Sequence, residues 1–348
     1  MSFQNLLSTF GSSSALSFTL VGEGYEFEFV VRDLADQHTQ VIESLRIAKD
    51  GTLIGSLRWA ALRERLTTYF LETSAGVEEV EVTFSGILPQ VSEASDPISV
   101  AAICSQILPK LVGNTYWLQA NRATPPRHET YRPDAPLAPD GTGITQLIYA
   151  NDISGSDIMS ALADWYQTAM GSRLAIRRGA FASEELFSFC IESSGSLIEL
   201  ADTGEGMGQV LSIIALLLLA ERDLLGPNPI LVLEHPELHL HAAAEPALAR
   251  LLCRVAASGK AQILAETHSE SFLLAVQLAI LDQQLKVSDV LVYWVEKEAN
   301  QPAKTAPIRF DSEARPAGGS WPPGVFNERA EMARAVVLAR RPDSNNAS

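Results

Sequence analysis

The residues able to do chemistry fall in three short stretches. Asp202-Thr-Gly-Glu-Gly-Met-Gly-Gln209 precedes an apolar segment, the apolar run 230–233 ends in Glu234-His235-Pro236-Glu237, and Glu266-Thr267-His268-Ser269 closes a second apolar run. A carboxylate directly after an apolar strand, as at Glu234, is placed to reach a Mg²⁺ held by phosphate oxygens, the logic of a Walker B acid. Gly204, Gly206, Gly208 and Gln209 at the start of a helix would turn unobstructed amides toward an anion at its positive end. An imidazole after the second strand, His268, can hydrogen-bond a phosphate or an attacking water. Each stretch taken singly has an ordinary reading: a strand-end acid, a flexible helix start, a satisfied structural histidine. Their order and spacing favour the chemical reading. What is missing is a G-x-x-x-x-G-K-[ST] loop. Gly259-Lys260 is followed by Ala261 and has Arg254 where the first glycine belongs, so it fails at both ends.

A second chemistry competes for the same residues. His235, His239, His241 and His268 lie near Glu234, Glu237 and Glu266, so a metal-dependent hydrolase using His239 and His241 as Zn²⁺ or Mn²⁺ ligands is an alternative. Its spacing fits no standard zinc pattern. The sequence holds no G-x-S-x-G nucleophile elbow and no convincing cysteine–histidine pairing.

The elements that must position these groups are legible from periodicity. From residue 200 onward the pattern predicts a helix over 209–223, a strand over 230–233, a helix over 242–256, a strand over 263–265, a helix over 271–285 and a strand over 290–295. Continuous apolar strands alternating with helices imply an α/β parallel sheet covered on both faces, with ligands at the strand C-termini. The first hundred residues read instead as an antiparallel meander, with strands over 17–20, 25–32, 40–48 and 78–84 and breaks at Gly22-Glu-Gly24 and Asp50-Gly51. A helix is expected over 96–112, a proline-rich connector over 124–139 and a helix over 157–170. The parts are thus a β-rich segment (1–115), a connector with a helical subdomain (116–200), a lobe with the three stretches (201–335) and a polar tail (336–348).

Composition narrows the setting. A net charge of −16 in 348 residues repels a phosphate backbone over most of the surface, so nucleic acid is expected only locally or through a partner. Arg122, Arg127, His128 and Arg132 make a short basic strip, read as a solvated loop whose arginines pair with acids. Three separated cysteines suit reduced core residues. The apolar run 210–220 is too short to span a bilayer, and there is no secretory leader pattern; a cytoplasmic, non-membrane protein is expected.

Taken together, the block from Asp202 to His268 resembles the C-terminal half of AAA-type ATPases with an ABC/SMC-like head, the group that includes RecF-like proteins and the ATPase modules of overcoming-lysogenisation-defect nucleases. It resembles more narrowly a bacterial branch ending in Trp-Pro-x-Gly-x-Phe, here Trp321-Pro322-Pro323-Gly324-Val325-Phe326 after Ile308-Arg309-Phe310-Asp311. Tyr116-Trp117-Leu118, Arg122 and Pro125-Pro126-Arg127 are similar to a further stretch of that branch. The resemblance implies a P-loop ATPase head fold with an antiparallel β subdomain. It also implies Mg²⁺ and ATP as cofactors, an ABC-signature-like role for Gly206 to Gln209 facing a nucleotide on an opposite subunit, Glu234 as Walker B acid and Mg²⁺ ligand, and His268 as switch histidine. His235 stands where a catalytic glutamate is usual, with Glu237 a possible replacement, and Gly208 replaces the signature serine. The resemblance places residue 1 just past the P-loop strand, with Phe3 to Leu7 as the helix that follows it. The expectation is therefore an ABC-like ATPase subunit that lacks its own Walker A and works as a homo- or hetero-oligomer, with a protein partner supplying the P-loop or an effector, in phage defence or DNA maintenance. The alternatives are a catalytically inactive scaffold and a start codon placed too late.

Overall fold

The structure is a computed structural model and describes residues 15–34, 39–60, 67–91, 100–112, 114–181, 184–193, 195–241, 243–298, 303–317, 321 and 334. The expected helix at Phe3 to Leu7, most of the Trp321 to Phe326 element and the polar tail lie outside these residues. The chain divides into two compact units, residues 1–113 with 296–304 and residues 114–295 with 305–348.

In the first unit, β1 (Ala15–Gly22), β2 (Tyr25–Leu34), β3 (Thr39–Lys49), β4 (Thr52–Trp59), β5 (Thr68–Thr73), β6 (Gly76–Ser85) and β7 (Leu88–Val91) form one antiparallel sheet in chain order. The meander follows from strict alternation: Phe27 and Phe29 are fully buried while Glu26 and Glu28, which alternate with them, are exposed. Its tight turns follow from local chemistry. Glu23-Gly24 and Asp50-Gly51 take positive φ at both positions, and Gly22 pairs with Tyr25 and Lys49 with Thr52, which is the two-residue hairpin geometry that Asp-Gly favours. Leu45, Ile47, Leu57, Tyr69 and Leu71 fill the core with Cys104 of α1 (Val100–Gln106) and Leu108 of α2 (Leu108–Val112). Burial pushes the Cys104 thiol up to about 12. It pushes Cys253 of the second unit up to about 11. Both thiols should therefore resist iodoacetamide at pH 8 in the native protein and react within minutes in urea, a contrast that peptide mass mapping reads directly.

The second unit is built around α5 (Glu205–Glu221), buried continuously from Val210 to Ala220. A helix apolar on every side must be central. Against it lie α3 (Ile144–Ile153), α4 (Ile158–Met170) and α6 (Glu245–Ala257), with α7 (Glu270–Leu281) packed on α6. A small antiparallel sheet holds β10 (Arg173–Phe181), β11 (Glu184–Ser193) and β12 (Ser196–Glu199), with β9 (Glu129–Thr130) on β11. A parallel sheet runs β14 (Gln262–Glu266), β13 (Ile230–Glu234), β8 (Thr115–Leu118).

Three expectations are corrected. Among the described residues, the predicted strand 290–295 does not join the parallel sheet. It forms β15 (Val292–Glu296) and pairs with β16 (Lys304–Ile308), and β8 takes the third place. Nor is the parallel sheet covered on both faces: Leu118, Leu231 and Leu233 are buried on one, but in the facing row Trp117 is 39% exposed and Leu264 is 62% exposed. Finally, the helix expected over 209–223 starts at Glu205, so Gly206, Gly208 and Gln209 lie inside it. Gly204 alone precedes it, as the N-cap. Among the described residues, no helix is long and apolar enough to cross a membrane.

Candidate functional site

The site forms where β13 and β14 end together. Their parallel register sets Glu234 opposite Glu266, and the ladder continues one step further through His235 N, which donates to Glu266 O at 2.8 Å. At His235 the chain leaves the strand with φ 41°, a left-handed conformation that histidine enters more readily than most residues. This bend lays the His235 ring on that of His268, with centroids 5.0 Å apart and planes 26° apart. The His235 imidazole sits between two carboxylates: Nδ1 is 3.7 Å from Glu237 Oε1 and Nε2 is 3.9 Å from Glu266 Oε1.

Glu237 is engaged at both oxygens. Oε2 accepts from Thr267 Oγ1 at 2.8 Å and Oε1 from His268 N at 3.0 Å. It thus ties the turn after β13 to the turn after β14. Glu234 is also held, for Oε1 accepts from the Trp117 indole at 3.0 Å and Oε2 from Ala120 N at 3.3 Å. Both donors come from β8 and the loop that follows it.

Arg122 corrects the reading of a solvated basic strip. It is 4% exposed and donates to four carbonyls from three segments: Gln119 at 3.1 Å, Gln209 at 3.3 Å, Glu234 at 3.0 Å and His235 at 3.3 Å. Burial lowers its pKa to about 10, against the opposing pull of Glu237, so the guanidinium stays charged at neutral pH. Two more members of the strip are spent locally, Arg127 on Asp202 at 2.5 Å and His128 near Glu199 at 3.9 Å.

The glycines serve packing as much as conformation. A Cβ on Gly206 would lie 2.2 Å from the carbonyl oxygen of His239, and one on Gly208 would lie 2.6 Å from Thr124 Cγ2. The bare faces of these two glycines are therefore filled by the chain itself, not open to an anion. A Cβ on Gly204 would meet nothing within 4 Å. Among the described residues, the buried amide oxygen of Gln209 has no hydrogen-bond donor. His239, with φ 65°, turns its Nδ1 to 3.7 Å from Glu205 Oε2, while His241 Nδ1 accepts from Ala243 N at 3.3 Å. The two histidines are thus spent separately, and among the described residues no group of three His, Cys, Asp or Glu could hold a metal ion.

The structure places Glu234, His235, Glu237 and His268 at or just past the ends of β13 and β14. The sequence reading gave no such part to Trp117, Ala120 and Arg122, which hold the Glu234 carboxylate and the carbonyls of Glu234 and His235. The signal was present in Leu118-x-x-x-Arg122. Composition alone could not tell a buried arginine from a solvated one. For a Mg²⁺-nucleotide, the chain offers one strand-end carboxylate and a histidine pair, without a phosphate cradle at Gly206 or Gly208. Among the described residues, that is an incomplete set for such a ligand.

Comparison with known proteins bears on the same residues. The profile of a family described as "AAA domain, putative AbiEii toxin, Type IV TA system" matches residues 121–275. No curated protein matches the chain. Among solved structures, an SMC head bound to the C-winged helix domain of ScpA shares 12% identity over 82% of this chain and 74% of its own, at a TM-score of 0.40. The SMC head domain from Thermotoga maritima shares 13% identity over 82% of this chain and 74% of its own, at a TM-score of 0.32. Those superpositions are too loose to carry residue roles across. The segment 121–275, which contains Arg122, the glycines, both strand-end acids and the histidine pair, is similar to an AAA-type ATPase domain.

Proposed function

We propose that this chain is an ATPase-like subunit that contributes Glu234, His235, Glu237 and His268 to a nucleotide site completed by another polypeptide. The observation that carries the reading is the convergence of one acid and two stacked imidazoles at the ends of adjacent parallel strands, with no phosphate cradle beside them among the described residues. Glu234 is the residue suited to a Mg²⁺ ion, bare or through water, and the Trp117 and Ala120 donors would orient its carboxylate. His268 is suited to a terminal phosphate. Glu237, with both oxygens engaged, positions the histidine pair and is a poor candidate for the water-activating base. The N-terminus of α5, with Gly204 unobstructed, would face a nucleotide presented by a neighbouring subunit.

A scaffold without turnover is the second reading. It is favoured by the absence of a free carboxylate next to Glu234, where His235 stands. The matched family's description names a toxin of a toxin–antitoxin system, and a role in defence follows for this chain only by that analogy.

The test is ATP hydrolysis by the complex purified from the native host. Glu234→Gln should abolish turnover, and His268→Ala should lower kcat about 100-fold, the lower end for a proton-transfer or phosphate-contacting group. A complex that binds no nucleotide at millimolar ATP would sink both readings, whereas binding without turnover would leave the scaffold.

A further inference from the structure

We infer that the outward face of α7, with the cleft beside it, is a self-association surface that takes the same face of a second copy of this chain. α7 is apolar on two sides. Phe272, Ala275, Ala279 and Ile280 are buried, while Leu274, Leu278 and Leu281 are 48%, 56% and 52% exposed. Their spacing of four and then three residues sets these leucines in one stripe along the helix, as in the seam of a helix pair. Exposed leucines scattered singly would need no partner, but a continuous stripe does.

Leu278 also lines a cleft of about 660 Å³ between α4, α6 and α7. Small side chains make room in it, Ala247 from α6 with Ala275 and Ala279 from α7, and Trp165 lines it from α4. One face thus carries a ridge of leucines and a hollow able to receive one. That is the self-complementarity a two-fold interface needs. An axis beside Leu278 sets Leu274 of each copy against Leu281 of the other and turns each Leu278 toward the opposite cleft.

Charge selects the occupant. Arg250 and Asp282 both line the cleft, and among the described residues neither is in an ion pair, whereas Arg254 beside them is engaged with Glu221 at 2.7 Å. Asp282 is the C-cap of α7, where the helix dipole disfavours a carboxylate and favours a cation next to it. An acidic or a basic partner would satisfy one of the two groups and repel the other. A second copy brings an arginine for Asp282 and an aspartate for Arg250. A helix of this length spans about 18 Å, so the contact is small and the dimer weak, with a Kd of roughly 10 μM expected. Glu234, His235, Glu237 and His268 do not line the cleft, so the association stands apart from the nucleotide site proposed above.

The experiment is sedimentation equilibrium of the full chain without nucleotide, over about 1 to 100 μM, where monomer should pass into dimer. Leu278→Lys should raise the Kd at least about tenfold, and Val21→Lys, at an exposed position of the other unit, should not move it. Arg250→Glu and Asp282→Arg should each weaken association by setting like charges together. An equimolar mixture of these two variants should restore it as a heterodimer in native mass spectra, because each chain supplies the charge that the other has lost. Circular dichroism checks that every variant is folded. A rescue by mixing is given only by a pair formed between copies. Four results overturn the inference: a monomer at every concentration, whether Leu278→Lys then unfolds it, which assigns the stripe to the chain's own residues, or leaves it stable, which leaves the stripe to another polypeptide; a dimer indifferent to Leu278→Lys; charge variants that mixing does not rescue; or a dimer that forms only with ATP. ATP binding is measured separately, so a dimer that binds no nucleotide would sink the proposed function and leave this surface standing.

Discussion

Arg122→Ala is expected to destabilise the second unit by about 3 kcal/mol, since it orphans buried carbonyls whose unmet hydrogen bonds cost about 1–3 kcal/mol each before relaxation. The offsetting gain is the relief of burying a cation, visible in the lowering of its pKa to about 10. Four acceptors from three segments outweigh that relief, because no other donor is placed to reach them all. For a unit of this size the loss corresponds to a fall in Tm of roughly 6–12 °C. The effect should also be local in a way that a general loss of stability is not. The carbonyls of Glu234 and His235 lose their shared anchor, so the left-handed turn at His235 relaxes and the ring stacking on His268 is lost. Proton NMR of the histidine rings reads this at a temperature where the variant is still folded. Arg122→Lys keeps the charge without the planar fork and should recover part of the Tm but little of the stacking. Unchanged Tm and unchanged histidine shifts in Arg122→Ala would show that the guanidinium holds nothing.

Gly206→Ala should cost about 2–3 kcal/mol, the usual range for forcing an extra methyl group into a filled site. The sign of this change is decided by two opposing magnitudes. In the interior of a helix, alanine is favoured over glycine by about 1 kcal/mol. Here the new Cβ would stand 2.2 Å from the carbonyl oxygen of His239, backbone against backbone, so neither side can yield by a rotamer change. The helix start must move from the loop, and the loop carries the turn that begins after Glu234. Gly204→Ala is the matched control, with φ −62° and nothing within 4 Å, and it should leave the urea midpoint unchanged. If Gly206→Ala is as stable as the parent, the close approach of α5 to the His239 loop is not a feature of the folded protein.

The sequence by itself determined the local pieces. Alternation marked β1, β2, β3 and β6 of the meander, though not β4, β5 or β7, Asp50-Gly51 marked a turn, and the all-round apolar character of residues 210–220 marked a central helix. The apolar runs ending in Glu234 and Glu266 were read as strands, and the acids and histidines fell at their C-terminal ends, because a period of two or of 3.6 residues is a property of neighbours along the chain. Only the tertiary structure decided which strand stands beside which. The apolar run of β15 reads as well as that of β8, but β8 completes the parallel sheet, and sheet order depends on contacts between residues more than a hundred positions apart. The same holds for the site's supports. Arg122 was read as part of a solvated strip, and it becomes a buried clamp only when the loop after β8 folds across the end of β13, where Trp117 also donates to Glu234. The glycines of 204–208 were legible as glycines that matter. That two of them are filled by the chain itself, and not left open for an anion, is a fact of packing that no spacing rule contains.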